Sequence, residues 1–230
     1  MAVIIPAAGS GVRLGAGLPK ALYEVMGRPL ILHALDRVVH VDRVARVVVA
    51  APPELVGRFV ELCHSLAARP EVTVIAGGPD RHASVQLGLR SLTPPPPIVL
   101  VHDAARALAP TALFERVAAA VRSGHDSVVP ALPICDTVRR VDAAGIATHT
   151  LDRGGLHAVQ TPQGFRTGVL ALAHAQPLDV SDKSVITDDA GLVERLGYRT
   201  HVVSGEPCAF KVTHPSDVPL TQLWLGAHSA

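Results

Sequence analysis

Short apolar runs rich in valine and isoleucine recur along the chain at residues 2–5, 46–50, 72–75, 98–101 and 127–130. Runs of this length suit strands buried on both faces. Between them lie stretches with helical periodicity, and these predict helices over residues 29–40, with Pro29 at the first turn, and over 53–67, 81–91 and 110–122. Alternating strand and helix implies an α/β fold: a Rossmann-like, mainly parallel twisted sheet with helices on both faces. No repeat of 20 to 50 residues and no shift in composition divides the chain, so residues 1–230 read as one domain. Residues 134–157 break the pattern. They are polar, carry Gly145, Gly154 and Gly155, lack a long helical period, and read as an extended arm leaving the sheet. The run Pro94 to Pro97 reads as a stiff connector into the strand at Ile98.

Composition narrows the function classes. Hydrophobic residues at 48% against 18% charged exclude intrinsic disorder. Lys+Arg 21 against Asp+Glu 20 leaves a formal charge of +1, too balanced to coat nucleic acid through an overall field, so any anion site must be local. No apolar run reaches the ~18 to 20 residues that a bilayer requires, and no basic segment precedes the first apolar run, so no membrane partner is expected. Cys63, Cys135 and Cys208 are odd in number and far apart; they read as small core residues in a reducing, cytoplasmic compartment. The twelve histidines show no metal-binding spacing.

The strongest chemical signal follows the first strand, in Pro6-Ala7-Ala8-Gly9-Ser10-Gly11-Val12-Arg13 and then Pro19-Lys20. Glycines let a backbone approach a ligand closely, and a loop leaving the C-terminal end of a strand is where α/β sheets bind nucleotides. It is neither a dinucleotide fingerprint nor a P-loop, since the last required glycine falls on Leu14 in both patterns and no Gly-Lys pair is present. What remains is a glycine loop with two cations, Arg13 and Lys20, suited to a polyphosphate and to charge building on phosphorus. Asp103 follows the fourth apolar run, so its carboxylate stands at the sheet's C-terminal edge, where a magnesium ion or a ribose could meet it. Arg106 is placed either to pair with Asp103 or to reach phosphate. Thr187-Asp188-Asp189 is also a competent helix N-terminus, with acids in the first turn.

The first loop resembles the signature loop of nucleotidyltransferases that join a nucleoside triphosphate to a sugar or polyol phosphate. Further motifs narrow the resemblance: Gly77-Gly78-Pro79-Asp80-Arg81-His82-Ala83-Ser84-Val85, Val101-His102-Asp103-Ala104-Ala105-Arg106, Asp136-Thr137, Gln160-Thr161-Pro162-Gln163-Gly164-Phe165, Thr187-Asp188-Asp189-Ala190 and Lys211-Val212-Thr213. In this order they resemble the 2-C-methyl-D-erythritol 4-phosphate cytidylyltransferase family of non-mevalonate isoprenoid synthesis. The resemblance implies CTP and that polyol phosphate as substrates, Mg2+ or another divalent cation as cofactor with Asp103 as its ligand, and a homodimer formed through the 134–157 arm. It implies nucleotide contacts from Pro6, Ala7, Ala8, Gly9, Ser10, Gly11, Gly77, Gly78, Arg81, Ser84, Asp103 and Ala104. Arg13, Lys20, Arg153 and Lys211 would be catalytic, and Arg106, Thr137, Arg153, Thr161, Thr187 and Lys211 would bind the acceptor. A ribitol 5-phosphate cytidylyltransferase shares nearly every motif and is the nearest alternative. A nucleotide-binding module without catalysis and a guanylyl or uridylyl transferase stand further off.

Overall fold

The structure, a computed structural model, describes residues 1–9, 14, 17–64, 66, 70–177 and 187–227. The elements run β1 (Ala2–Pro6), a β2–β3 hairpin (Glu24–Val25, Arg28–Pro29), α1 (Leu30–Val38), β4 (Arg46–Ala51), α2 (Val56–Cys63), β5 (Glu71–Ala76), α3 (Arg81–Ser91), β6 (Ile98–Val101), α4 (Thr111–Arg122) and β7 (Ser127–Pro133). They continue with β8 (Arg139–Val141), β9 (Ala147–Thr150), β10 (His157–Val159), β11 (Gln163–Arg166), α5 (Thr167–Ala175), α6 (Asp189–Arg195), β12 (Thr200–Ser204) and α7 (Asp217–Ala227). The central sheet has the order β10-β7-β11-β6-β1-β4-β5, with β12 also paired to β7. Pairings β1–β4, β1–β6, β4–β5 and β7–β12 are parallel, whereas β11 runs antiparallel between β6 and β7, and β10 antiparallel to β7.

Period-2 alternation divides each central strand between two cores. On β1, Val3 and Ile5 pack with Leu35, Phe59 and Phe114 from α1, α2 and α4. Ala2 and Ile4 pack on the other face with Val85, Leu170 and Val193 from α3, α5 and α6. Burial on both faces is why these strands read as unbroken apolar runs. It also leaves the C-terminal ends of β1, β4, β5 and β6 as the sheet's free edge, and the loops that leave it are where the chemical motifs lie.

Three expectations are amended. The predicted helix over 53–67 divides into a 3-10 turn at Pro53–Leu55 and α2, which ends at Cys63. β11 and β12 were not predicted: Gln163–Arg166 is too short and too polar to read as a strand, and β12 is only partly buried along its length. Cys135 is exposed and Cys208 half-buried, so only Cys63 is a core thiol, and burial pushes it up to about 11. Within residues 134–157, β8 and β9 pair with each other and, among the described residues, with no strand of the central sheet, and Val141 and Ile146 on this hairpin are 54% and 62% exposed. Among the described residues no helix is long and apolar enough to cross a membrane.

β11 lies close under α4, and the contact depends on Gly164. A Cβ there would stand 2.6 Å from Val117 Cγ1 and 3.0 Å from both Leu100 Cδ2 and Val121 Cγ2. Three branched core side chains would have to yield at once. Gly164→Ala should therefore cost about 1–3 kcal/mol of stability, measured as a lower urea midpoint with an unchanged slope; an unaltered midpoint would show that the core gives way freely.

Candidate active site

Three loops from the free edge of the sheet build one cleft. The first leaves β1: Ala7 N–H still bonds to Ala50 O at 2.8 Å, and Lys20 N–H closes the loop onto Gly9 O at 3.1 Å. Pro19 precedes the 3-10 turn Lys20–Leu22, and this turn delivers Lys20 to the cleft, where its ammonium donates to Thr213 Oγ1 at 3.3 Å. Ser10, Gly11 and Arg13 of this loop lie outside the described residues.

The second loop joins β5 to α3. Gly77 N–H donates to Ala51 O at 2.7 Å, and a Cβ at Gly77 would stand 3.0 Å from that oxygen and from Ser84 Oγ. Only glycine lets the turn close this tightly. Asp80 caps α3 by accepting from Ala83 N–H at 2.8 Å, which points Arg81 into the cleft from the first turn. Ser84 Oγ donates to Asp80 O at 2.8 Å and accepts from Gly78 N–H at 3.1 Å, so this hydroxyl stabilises its own turn. Ser84 also lines the cleft.

The third loop leaves β6 and carries Asp103, which sits at the centre of the charges. Its Oδ1 accepts from Arg81 Nε at 3.1 Å and its Oδ2 from Lys211 Nζ at 2.8 Å. Burial alone would raise this carboxyl, but Arg81 and Lys211 hold it well below the usual carboxylate range. Arg81 extends the chain, since Nη1 donates to Asp189 Oδ2 at 2.6 Å and Asp189 Oδ1 lies 2.8 Å from His174 Nε2. Burial would lower the Arg81 guanidinium, yet the Asp189 and Asp103 carboxylates outweigh it and keep it charged. Asp189 is likewise held ionised, burial being overcome by Arg81 and then His174.

The cleft has a volume of about 440 Å³ and is lined by Pro6, Ala7, Ala8 and Gly9 from the first loop, Gly78, Arg81 and Ser84 from the second, and Asp103, Ala104, Lys20 and Lys211. Three cations and two carboxylates, Asp80 and Asp103, face it, so the site is locally cationic in a chain of nearly balanced charge. Such a cleft accepts a polyanion.

Other expected site residues stand elsewhere. Arg106 braces the fold: Nη1 donates to Ala209 O at 2.7 Å and Nη2 to Val159 O at 3.1 Å. Thr161 is buried, with its hydroxyl engaged by Asp103 N–H at 3.0 Å and by His102 Nδ1 at 3.2 Å. Burial pulls His102 down to about 4, so its ring is neutral at pH 7. Thr187 is exposed just ahead of Asp188, which caps α6 by accepting from Gly191 N–H at 3.0 Å. Thr137 lies on the arm away from the cleft lining, and so does exposed Arg153, whose guanidinium bonds to Cys135 O.

The residues that sequence reasoning missed are Asp189, His174 and Thr213. Asp189 was visible only as an acid in a helix's first turn; that it is 1% exposed and pairs with Arg81 108 residues away is a tertiary fact. Thr213 lay within a quoted motif, and only the fold brings its hydroxyl to Lys20.

Asp103 also bears on the expected cation. One buried carboxylate with two hard oxygens suits magnesium, which is commonly held by one or two carboxylates together with substrate phosphates. Among the described residues no group of three or more His, Cys, Asp or Glu offers a complete protein cage. The donor set thus fits a cation that shares its ligands with a bound triphosphate.

Comparison with known proteins agrees with this geometry. Residues 1–227 match the family model described as IspD: 2-C-methyl-D-erythritol 4-phosphate cytidylyltransferase. Proteins of that name from Frankia casuarinae and Nocardia farcinica are each 46% identical, over 98% and 99% of this chain and 81% and 94% of their own lengths. The crystal structure of 4-diphosphocytidyl-2C-methyl-D-erythritol synthase from Anaerococcus prevotii superposes with a TM-score of 0.82 at 26% identity, covering 98% of this chain and 97% of that one. The cytidylyltransferase from Thermus thermophilus superposes with a TM-score of 0.75 at 33% identity, covering 97% and 98%. With the family model and these relatives matched along nearly the full length, this chain belongs to the 2-C-methyl-D-erythritol 4-phosphate cytidylyltransferase family.

Proposed function

We propose that the chain transfers CMP from CTP to 2-C-methyl-D-erythritol 4-phosphate, releasing pyrophosphate and forming 4-diphosphocytidyl-2-C-methyl-D-erythritol in non-mevalonate isoprenoid synthesis. The observation that carries this reading is the convergence of Lys20, Arg81 and Lys211 on one cleft at the sheet's free edge, in a chain of this family.

An oxygen of the acceptor's phosphate attacks the α-phosphorus of CTP. One P–O bond forms, the bond to the β-phosphate bridging oxygen breaks, and pyrophosphate leaves with the electron pair. A phosphate monoester has its second pKa near ~6, so the acceptor is mostly dianionic at neutral pH and needs no general base. The protein's work is alignment and charge neutralisation. Pro6 to Gly9 bring the backbone close to the triphosphate, with Ser10, Gly11 and Arg13 continuing the same loop. Lys20 meets charge as it accumulates on phosphorus and on the leaving group. Arg81, clamped by Asp103 and Asp189, is a fixed cation at the nucleotide end, and Gly77, Gly78 and Ser84 shape the turn beside the base. Lys211 can exchange Asp103 for the acceptor's phosphate. Mg2+, held by Asp103 and the triphosphate, would neutralise phosphate charge when bound.

Arg153 and Thr137 belong to the arm and not to this chain's cleft, so a role at the acceptor is met at the cleft of a second copy. The exposed Val141 and Ile146 supply a reason for that copy to dock, because an apolar side chain gains by burial. The working unit is therefore a homodimer through the 134–157 arm, in the cytoplasm, where free thiols such as Cys63 and Cys135 persist.

Pyrophosphate release with CTP and Mg2+ should be faster with 2-C-methyl-D-erythritol 4-phosphate than with ribitol 5-phosphate. Release only with the ribitol compound would keep the chemistry and replace the acceptor; silence with both would overturn the reading. In the same assay Lys20→Ala should lower kcat by ~100-fold or more, as loss of a group that stabilises transition-state charge does, and an unchanged kcat would remove Lys20 from the mechanism. Sedimentation at micromolar concentration should give a dimer that Ile146→Asp dissociates. A wild-type chain that sediments only as a monomer would exclude the arm's proposed role.

A further inference from the structure

His102 is buried to 0% exposure at the end of β6, beside the most important carboxylate of the cleft, yet it does not line that cleft. Its backbone N–H donates to Ile4 O at 2.9 Å and is the last sheet bond of this strand. Asp103 is thus the first residue to leave the sheet, and its N–H would lose a partner there. Thr161, delivered from the turn between β10 and β11, supplies one: its Oγ1 accepts from Asp103 N–H at 3.0 Å. The same hydroxyl, which has one proton and two lone pairs, also lies 3.2 Å from His102 Nδ1 and hydrogen-bonds to it. His102, Thr161 and Asp103 form one chain of hydrogen bonds.

The rest of the imidazole argues that this contact is why a histidine stands here. Nε2 is enclosed without a direct hydrogen-bond partner, the ring also meets the Arg106 backbone, and it packs tilted against Phe114 at 4.7 Å. For filling space a carbon ring would serve better, since it leaves no polar atom unpaired. The side-chain anchors of Asp103 cannot replace the backbone one, because Arg81 and Lys211 are the cations that substrate phosphates compete for.

We propose that His102, acting through the Thr161 hydroxyl, is a positioning residue that fixes the Asp103 backbone and so aims its carboxylate for nucleotidyl transfer. The proposal rests on the function above, but its structural half is independent of turnover. His102→Leu and Thr161→Val remove the imidazole nitrogen and the hydroxyl at nearly constant volume. Each should expose the Asp103 amide to hydrogen exchange ~10-fold faster or more and lower kcat/KM for CTP by ~10-fold, the usual scale for a group that orients a ligand-bearing residue. KM for the acceptor should stay within about twofold. The double variant should be no worse than the more damaging single one, since both cut the same chain. Thr161→Ser keeps the hydroxyl, and His102→Asn sets an amide oxygen near the place of Nδ1; both should restore exchange and kcat/KM to within about threefold of wild type. Unchanged Asp103 exchange in folded Thr161→Val, or failure of Thr161→Ser to restore it, would overturn the proposal. If the wild type releases no pyrophosphate at all, the function fails, while the exchange result still decides the anchoring.

Discussion

The structure is organised around a carboxylate that water scarcely reaches. Asp103 has a side chain 12% exposed and two cations within hydrogen-bond distance, one of them shared with a second carboxylate, on Asp189, that is only 1% exposed. Isolated, either acid would cost several kcal/mol to bury as an anion and would take up a proton instead. Together with Arg81 and Lys211 they remain ionised. The price is that four distant parts of the chain must arrive together: the end of β6, the first turn of α3, the first turn of α6, and the segment after β12. Each is fixed by its own local device, Asp80 and Asp188 capping the two helices and Arg106 tying the β6 end to Ala209 O.

That division explains how much could be read from the chain alone. Strands β1, β4, β6 and β7 were legible because burial on both faces leaves a local trace; β5, at the sheet edge and at most half-buried, was legible from its run of β-branched residues, and α3 matched its prediction from Arg81 to Ser91. β11 was not legible. Its pairing partners supply the stability that Gln163–Arg166 lacks, and Gly164 is needed only because α4 passes overhead. The same holds at the site. A glycine loop after a first strand and an aspartate after a later one carry positional meaning in one dimension, so the first loop and Asp103 could be found. What Arg106 and Thr161 touch, Val159 O and Ala209 O for the first and His102 for the second, could not be read from spacing, because it is decided by the return of the chain.

The charge arrangement also has a chemical logic. Lys211 and Arg81 are long cations, and in an empty cleft their default would be to extend into water and lose little. Here Lys211 is gathered onto Asp103, and Arg81 is shared by Asp103 and Asp189. A triphosphate that enters such a cleft does not have to order loose cations; it exchanges one anionic partner for another. Preorganisation of this kind saves the side-chain entropy that ordering would cost, and it matters most when negative charge shifts during reaction instead of being present throughout. The two clamps are not equivalent. Arg81 keeps Asp189 even if it yields Asp103, whereas Lys211 has Asp103 as its carboxylate. A polyanion therefore frees Lys211 more readily than Arg81. The cleft holds a fixed cation and an exchangeable one, and a transfer between two phosphorylated substrates needs both: one to keep the nucleotide still, the other to pass to the acceptor.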